Sequence, residues 1–571
     1  MGSLPNLHEL AIRGKLESPV HRPAPIGGFG PVKLPPQPPP LAHTNRRVRS
    51  SGHHHALWHD NNDAILEHMT TYSPISCRSA RASALSCRRR ESMTSSAGTS
   101  SVRRLIAAVR TTPSGPRPPR KVILRHCAAL LLGHMTISAA SLPIFPLQAG
   151  LGAFNPHLGP LLLALLYATA TITSCFALIV VQKLGTNLIT SISHLVTTIF
   201  IGTHLFPKWY LLLPSYALFG IFVTPTFIAR TAHVNATATN LTIVCADPED
   251  PDENRRDCIL RRLNRGMKLA EDMGLALGCL IATVIVKMID PPLPNLLQED
   301  VEEICGAEYC PQETYFYNET LFLPTMPTNS AKILISLLLG LAILAFGISC
   351  AFLDSRMKEP TSGNERLCLS THLKSIKQSF QDPKLQLAAP LTLFIGLEQG
   401  FIIGDFTEAY VVCALGGASA VALSFLSLAL LQAVAGLTLS MLLRHIRRYF
   451  VVAVGFAFHA CLLLALVTWR PAGDDPALFN VISAAWGVCN AIWETLIYTL
   501  LLGLYPASWQ GRLSTSLFWK WLGLFLALGL HGLVCTRLRV LGLASMLLLS
   551  VIPYTWLEIR LAKRGKSLAP L

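Results

Sequence analysis

Glu398 lies in the middle of an apolar run. There an ionised side chain costs at least roughly 2.5–3.5 kcal/mol unless it is paired or hydrated, so it must face inward. Gly396 and Gly400 flank it on nearly the same helix face, where they can open a helix break or allow close helix approach. Two readings stand side by side: a cavity acid that binds a cation or relays protons, and a helix-packing hydrogen bond. Gln399, Asp405, Glu494 and Lys520 complete this set of cavity or coupling candidates, with Asp405 and its neighbour Glu408 placed toward the watery outer end. His134, His194, His459 and His531 fall in or at the ends of apolar runs, and each could titrate near neutral pH. Isolated histidines in such places also commonly bond across helices. The run His53-His54-His55 could hold a soft metal ion, but a solvated tail segment is the plainer reading.

No nucleophile elbow, phosphate loop, zinc spacing or paired-carboxylate pattern occurs in a soluble stretch large enough to be a catalytic domain. No catalytic residue, cofactor or metal site is expected, and the chain does not read as an enzyme. Of the 15 cysteines, most lie inside apolar runs or beside basic loops, where thiols stay reduced. Cys305 and Cys310 are different, since they share an acidic loop on the opposite side. A disulfide between them is expected.

The elements that must position these groups are apolar runs of about 20 residues, the length that crosses the hydrocarbon core as helix. Half of the 571 residues (51%) are hydrophobic and 14% are charged, which excludes an ordinary soluble domain. Runs are read over 122–142, 158–181, 187–205, 209–228, 267–288 and 333–352, then over 389–415, 419–443, 451–469, 479–504, 514–534 and 540–557. This predicts an all-α polytopic membrane protein with twelve transmembrane helices. Its parts are a disordered basic cytosolic tail (1–120), a six-helix bundle (121–353), a cytosolic linker (354–388), a second six-helix bundle (389–560) and a cytosolic C-terminal tail (561–571).

The formal net charge of +15 is concentrated in the first tail, which carries +11 and is dense in Pro, Ser, Arg and His. Arg interleaved with Ser and Pro beside a membrane suits anionic lipid or an acidic partner, and no nucleic-acid partner is expected. The loop after the fourth run, the linker, the loop after the eighth run and the C-terminal tail are basic. Residues 290–331 contain eight acidic residues and no Lys or Arg. Positive charge marks the cytoplasmic side, so both termini are expected inside.

Six runs, a linker and six runs is the layout of the major facilitator superfamily, whose halves rock about a central cavity. The facilitator gating motif is degenerate here: the loop after the second run reads Val181-Gln182-Lys183-Leu184-Gly185-Thr186, without the acid and Arg. Three further stretches carry a closer resemblance. They are Gly396-Leu397-Glu398-Gln399-Gly400-Phe401 with Asp405, Thr407 and Tyr410-Val411-Val412-Cys413-Ala414-Leu415-Gly416; Cys305-Gly306-Ala307-Glu308-Tyr309-Cys310; and Trp486-Gly487-Val488 with Ala491 and Trp493-Glu494-Thr495. The chain resembles the uncoordinated-ninety-three family of ion-channel regulatory proteins. It departs from the family pattern at Asn490, where an acid is usual, at Glu494, where Gln is usual, and at Lys520, where an acid is usual.

The resemblance implies a membrane protein that acts on other membrane proteins, as a regulator or trafficking escort of a potassium channel subunit or a receptor, in plasma, endosomal or endoplasmic reticulum membranes. The rival reading is a cation- or proton-coupled secondary transporter of a small solute that uses Glu398. Besides the bilayer itself, the expected partners are therefore a membrane protein or, in the rival case, a cation or small solute. Of three glycan acceptor sequences in the spanning part, Asn235 and Asn240 fall on the basic side and Asn318 in the acidic loop, so only Asn318 should be glycosylated. Glu494 and Lys520 sit at similar depths, roughly 10–15 Å into the core at 1.5 Å per residue. They are expected to pair. The alternative is that Glu494 faces the central cavity while Lys520 reaches toward the headgroups.

Overall fold

The computed structural model describes residues 119–151, 158–244, 252–289, 305–310, 326, 328–353, 369–443, 445–505 and 508–567. Among these residues the fold is entirely helical. Helices α1 (Arg120–Ser141) and α2 (Ile144–Leu151) are followed by α3 (Gly159–Ser174), α4 (Ala177–Leu184), α5 (Thr186–Thr203), α6 (Trp209–Val244), α7 (Asp252–Ile289) and α8 (Thr328–Phe352). Within the connector lies α9 (Leu369–Gln381), followed by α10 (Pro383–Phe401), α11 (Ala418–Leu442), α12 (Arg448–Thr468), α13 (Pro476–Leu504), α14 (Trp509–Gly529) and α15 (Thr536–Ser567). Nine helices among the described residues are long and apolar enough to cross a membrane, or ten if the bent pair α3 and α4 is one span. The remaining two expected spans correspond to α5 and α14, whose Thr, Ser and charged residues dilute their hydropathy. Exposed leucines such as Leu161 and Leu464, 63% and 64% exposed, suit faces turned to lipid rather than water.

Local sequence explains the punctuation. Asp382 caps α10 by accepting from the Lys384 backbone N–H at 3.0 Å, with Pro383 at the first helical position. The helix then widens into π geometry over Ile402–Val412, where the Thr407 hydroxyl donates to the Ile402 carbonyl five residues back. Gly416 and Gly417, at φ 64° and 73°, end it. The polar stretch expected as a loop after residue 228 is instead a continuation of α6 to Val244, in which Thr and Asn side chains satisfy themselves by bonding back to carbonyls four residues earlier.

Helices from before the connector pack against helices after it chiefly along two seams, α3 on α14 and α7 on α11, with α2 also meeting the π segment. On the first seam Tyr167 stacks on Trp521, and the Trp521 indole N–H donates to Thr224 of α6 at 2.9 Å. Helices α10 and α14 meet through glycine: a Cβ at Gly396 would collide with the Lys520 carbonyl, and one at Gly523 with the Leu393 carbonyl. Close backbone approach is how helices associate where lipid supplies no hydrophobic drive. The expectation of a small-residue contact at Gly396 is realised here, while the departure from α-helical geometry lies one turn further along.

Candidate functional site

The second seam carries a closed ring of six side chains. On α7, Lys268 and Asp272 project from one face at i and i+4, and on α13 Asn490 and Glu494 do the same. Lys268 Nζ lies 2.7 Å from Glu494 Oε2 and 3.1 Å from Asp272 Oδ1. Gln432 of α11 donates to that same Asp272 oxygen at 2.7 Å and accepts from Asn490 Nδ2 at 2.8 Å. Gln399 of α10 closes the ring, donating at 2.8 Å to both Asn490 Oδ1 and Glu494 Oε1. Lys520 of α14 joins from outside, 2.6 Å from Glu494 Oε1. On the far side Glu271 accepts from Arg230 at 3.1 Å and lies 3.2 Å from His134 and 3.4 Å from Lys268.

The charges balance within this cluster: Arg230, Lys268 and Lys520 face Glu271, Asp272 and Glu494. Buried charge is tolerated only when paired and further hydrogen-bonded, and here Gln399, Gln432 and Asn490 supply the additional bonds. The departures from the family pattern belong together. Glu494 and Lys520 are each other's partners, and Asn490 both donates and accepts, which an ionised acid could not do. Asp272 Oδ2 is the one ring carboxylate oxygen that has no partner among the described residues.

Glu398 stands apart from this ring. Gln399 points into the polar centre, whereas Glu398 enters a box of aromatic rings, fully buried, with no hydrogen-bond donor to either oxygen among the described residues. Its nearest polar neighbour is His459 Nδ1, 3.4 Å from Oε2. The Trp493 indole N–H donates to that same Nδ1 at 3.0 Å, which assigns the imidazole proton to Nε2. Phe394 and Trp486 complete the walls, their centroids 5.4 and 5.1 Å from the imidazole. With the Nδ1 lone pair taken by Trp493, the imidazole offers Glu398 no hydrogen bond, and the carboxyl is left unpartnered among the described residues, in an aromatic box.

At the opposite end from the basic loops, Asp405 is buried rather than near water, held by Arg539 and by His531 Nδ1 at 2.9 Å. Glu408 accepts from Tyr309 at 2.9 Å and lies 2.6 Å from His531 Nε2. Arg539 turns inward to meet Asp405, which lies one turn inside the π segment. The cysteine pairing is likewise corrected. Cys305 is bonded to Cys413 and Cys310 to Cys535, with Cα separations of 5.7 and 4.3 Å. The turn at Gly306–Glu308 sends the two cysteines to different anchors, and Cys413, read as an interior thiol, emerges where the π segment ends. The acidic loop is thereby stapled to both the end of the seventh expected span and the turn before the last. Thr536 N–H donates to the Tyr309 carbonyl at 3.0 Å between the two staples.

Among the remaining histidines, His194 is bonded to Ser349 at 2.6 Å, a helix-packing contact. Asn235 is buried and its amide donates to the Thr231 carbonyl. Asn318 lies outside the described residues. Sequence reasoning missed Arg230, Lys268, Glu271, Asp272 and Gln432. Lys268, Glu271 and Asp272 open the fifth expected run at i, i+3 and i+4, a signal that one face of α7 meets charge elsewhere.

Nine or ten candidate spans and a charge-balanced polar centre among the described, entirely helical residues define a polytopic membrane protein. No family model matches the chain. It is 26% identical to Protein unc-93 homolog A of Xenopus laevis over 72% of this chain and 88% of the relative. Against the Homo sapiens protein of the same name it is 25% identical over 76% and 93%. It is also 23% identical to the Putative potassium channel regulatory protein unc-93 of Caenorhabditis elegans, over 71% of this chain and 57% of the nematode protein. The chain is similar to UNC-93 proteins over most of its length.

Proposed function

We propose that the protein is a non-enzymatic regulator or trafficking escort of another membrane protein, a potassium channel subunit or a receptor. In this reading 121–353 and 389–560 are the six-helix halves of a facilitator-type scaffold with both termini in the cytosol. The observation that carries it is the polar centre, whose three cations are matched by three carboxylates of the same chain. A centre that neutralises itself suits a braced scaffold better than a solute site. The names of the relatives, one of them a potassium channel regulatory protein, support the same direction. Proximity labelling from the N-terminal tail, ranked against an unrelated facilitator, should return a reproducible channel or receptor, and depleting the protein should change that partner's current or surface level. Labelling indistinguishable from the control would remove this reading.

Glu398 favours a second reading, a proton-coupled transporter, because a carboxyl without a donor beside His459 is suited to proton handling. Solute flux in liposomes that is lost in Glu398→Gln, with folding retained, would establish it. A well-folded, fully active variant would dispose of it.

A further inference from the structure

At the basic end, away from the polar ring, α9, α10, α14 and α15 enclose a groove of about 350 Å³. Its walls include Phe380, Leu385, Pro390, Leu393, Trp519 and Met546. Phe380 meets Phe518 edge-on at 5.3 Å and Trp519 at 6.4 Å, which fixes the linker helix α9 against α14. Beside Met546 on α15, Leu548 and Leu549 are 50% and 61% exposed. The groove therefore adjoins a face that suits lipid.

The helices that line it also carry cations close to the lining residues in sequence. Lys377 stands one turn before Phe380 on α9, Lys384 directly precedes Leu385, and Arg512 lies two turns before Trp519 on α14. Lys384 Nζ and Arg512 Cζ are 5.9 and 5.2 Å from the centroid of the Tyr505 ring, so one ring holds both cations at the same corner. The acid at this corner, Asp382, is already engaged: one oxygen accepts from the Lys384 backbone N–H and the other from the Tyr505 hydroxyl at 2.5 Å. None of the three cations forms an ion pair among the described residues. Arg512 Nε, shielded from solvent, has no acceptor there either.

We propose that this groove binds an anionic phospholipid, with one acyl chain along the apolar walls and the headgroup phosphate among Lys377, Lys384 and Arg512. Charge complementarity selects this occupant. Basic pockets at helix ends attract anionic headgroups, and a guanidinium grips phosphate oxygens through paired donors. A neutral lipid would leave the three cations unmatched, and a soluble phosphate would leave the apolar walls uncovered. The site is separate from the polar centre and does not depend on which partner the protein regulates.

The test uses the purified full chain in neutral phosphatidylcholine nanodiscs, with lipid retention read by native mass spectrometry and stability by thermal unfolding. Phosphatidylserine or a phosphoinositide should be retained over phosphatidylcholine and should raise the melting temperature. The combined Lys377→Gln, Lys384→Gln and Arg512→Gln variant should lose about tenfold or more in retention, with unchanged melting in neutral lipid. Leu393→Trp, which fills the groove and spares the cations, should lose it as well. If the triple variant fails to fold, Lys377→Gln alone, at an exposed side chain, should still weaken retention. Equal retention of neutral lipid, or retention unaffected in the cation variants, would overturn the proposal. So would protection by inorganic phosphate or a soluble inositol phosphate equal to that by the lipid, since the acyl chain would then contribute nothing.

Discussion

Lys268 Nζ lies 2.7 Å from Glu494 Oε2, and that contact joins a helix that precedes the connector to one that follows it. Glu494 also holds Lys520 at 2.6 Å, so a single carboxylate serves two ammonium groups from two helices. Around it Gln399, Asn490, Gln432 and Asp272 complete a ring in which each member bonds the next. If the helices on either side of the connector move relative to each other, this ring must open, and the bond from Lys268 to Glu494 is the ionic step in that opening.

The two partners of Glu494 make its loss asymmetric. Glu494→Gln strands Lys520 and weakens the hold on Lys268, and breaking a buried pair typically costs about 3–5 kcal/mol. Lys520→Met leaves Glu494 paired with Lys268 and should cost less, about 1–3 kcal/mol. Combining the two should recover part of the loss. Thermal unfolding in detergent measures all three, and strictly additive losses would show that the residues do not meet.

Helices α10 and α14 touch through Gly396, where an added methyl meets the Lys520 carbonyl and, at 2.9 Å, the Gly523 Cα. Gly396→Ala should therefore destabilise by about 1–3 kcal/mol, the range for overpacking. Gly436→Ala, with nothing within 4 Å of the added atom, is the control and should be close to parent. Equal melting temperatures for the two variants would contradict the close approach.

Mass spectrometry of a non-reduced digest should find Cys305 linked to Cys413 and Cys310 to Cys535. Either link closes a very long loop, so its loss should be costly, typically about 2–5 kcal/mol. A Cys305 to Cys310 peptide in the same digest would reinstate the local hairpin.

Asn235 is buried, with its amide committed to the Thr231 carbonyl, so the folded chain has no room for a glycan there. Glycosidase should shift the parent band, and Asn318→Gln should abolish that shift while Asn235→Gln and Asn240→Gln leave it unchanged. A glycan on Asn235 would reverse the expected orientation.

The sequence by itself determined the properties that depend on one helix at a time. Apolar length sets most of the spans, and the cost of a charge in hydrocarbon places Glu398 inside. Helical rise puts Glu494 and Lys520 at a common depth, and they do meet. What depends on how helices rotate and dock was decided only by the tertiary structure. Adjacent residues Glu398 and Gln399 project about 100° apart, so one enters an aromatic box and the other the polar ring, a difference invisible without the neighbouring helices. Lys268 looks like a loop cation until α11 and α13 bring Gln432 and Glu494 beside it. Cys305 and Cys310 are near each other in sequence, but the turn between them aims each sulfur at a partner that only the packing of distant segments supplies.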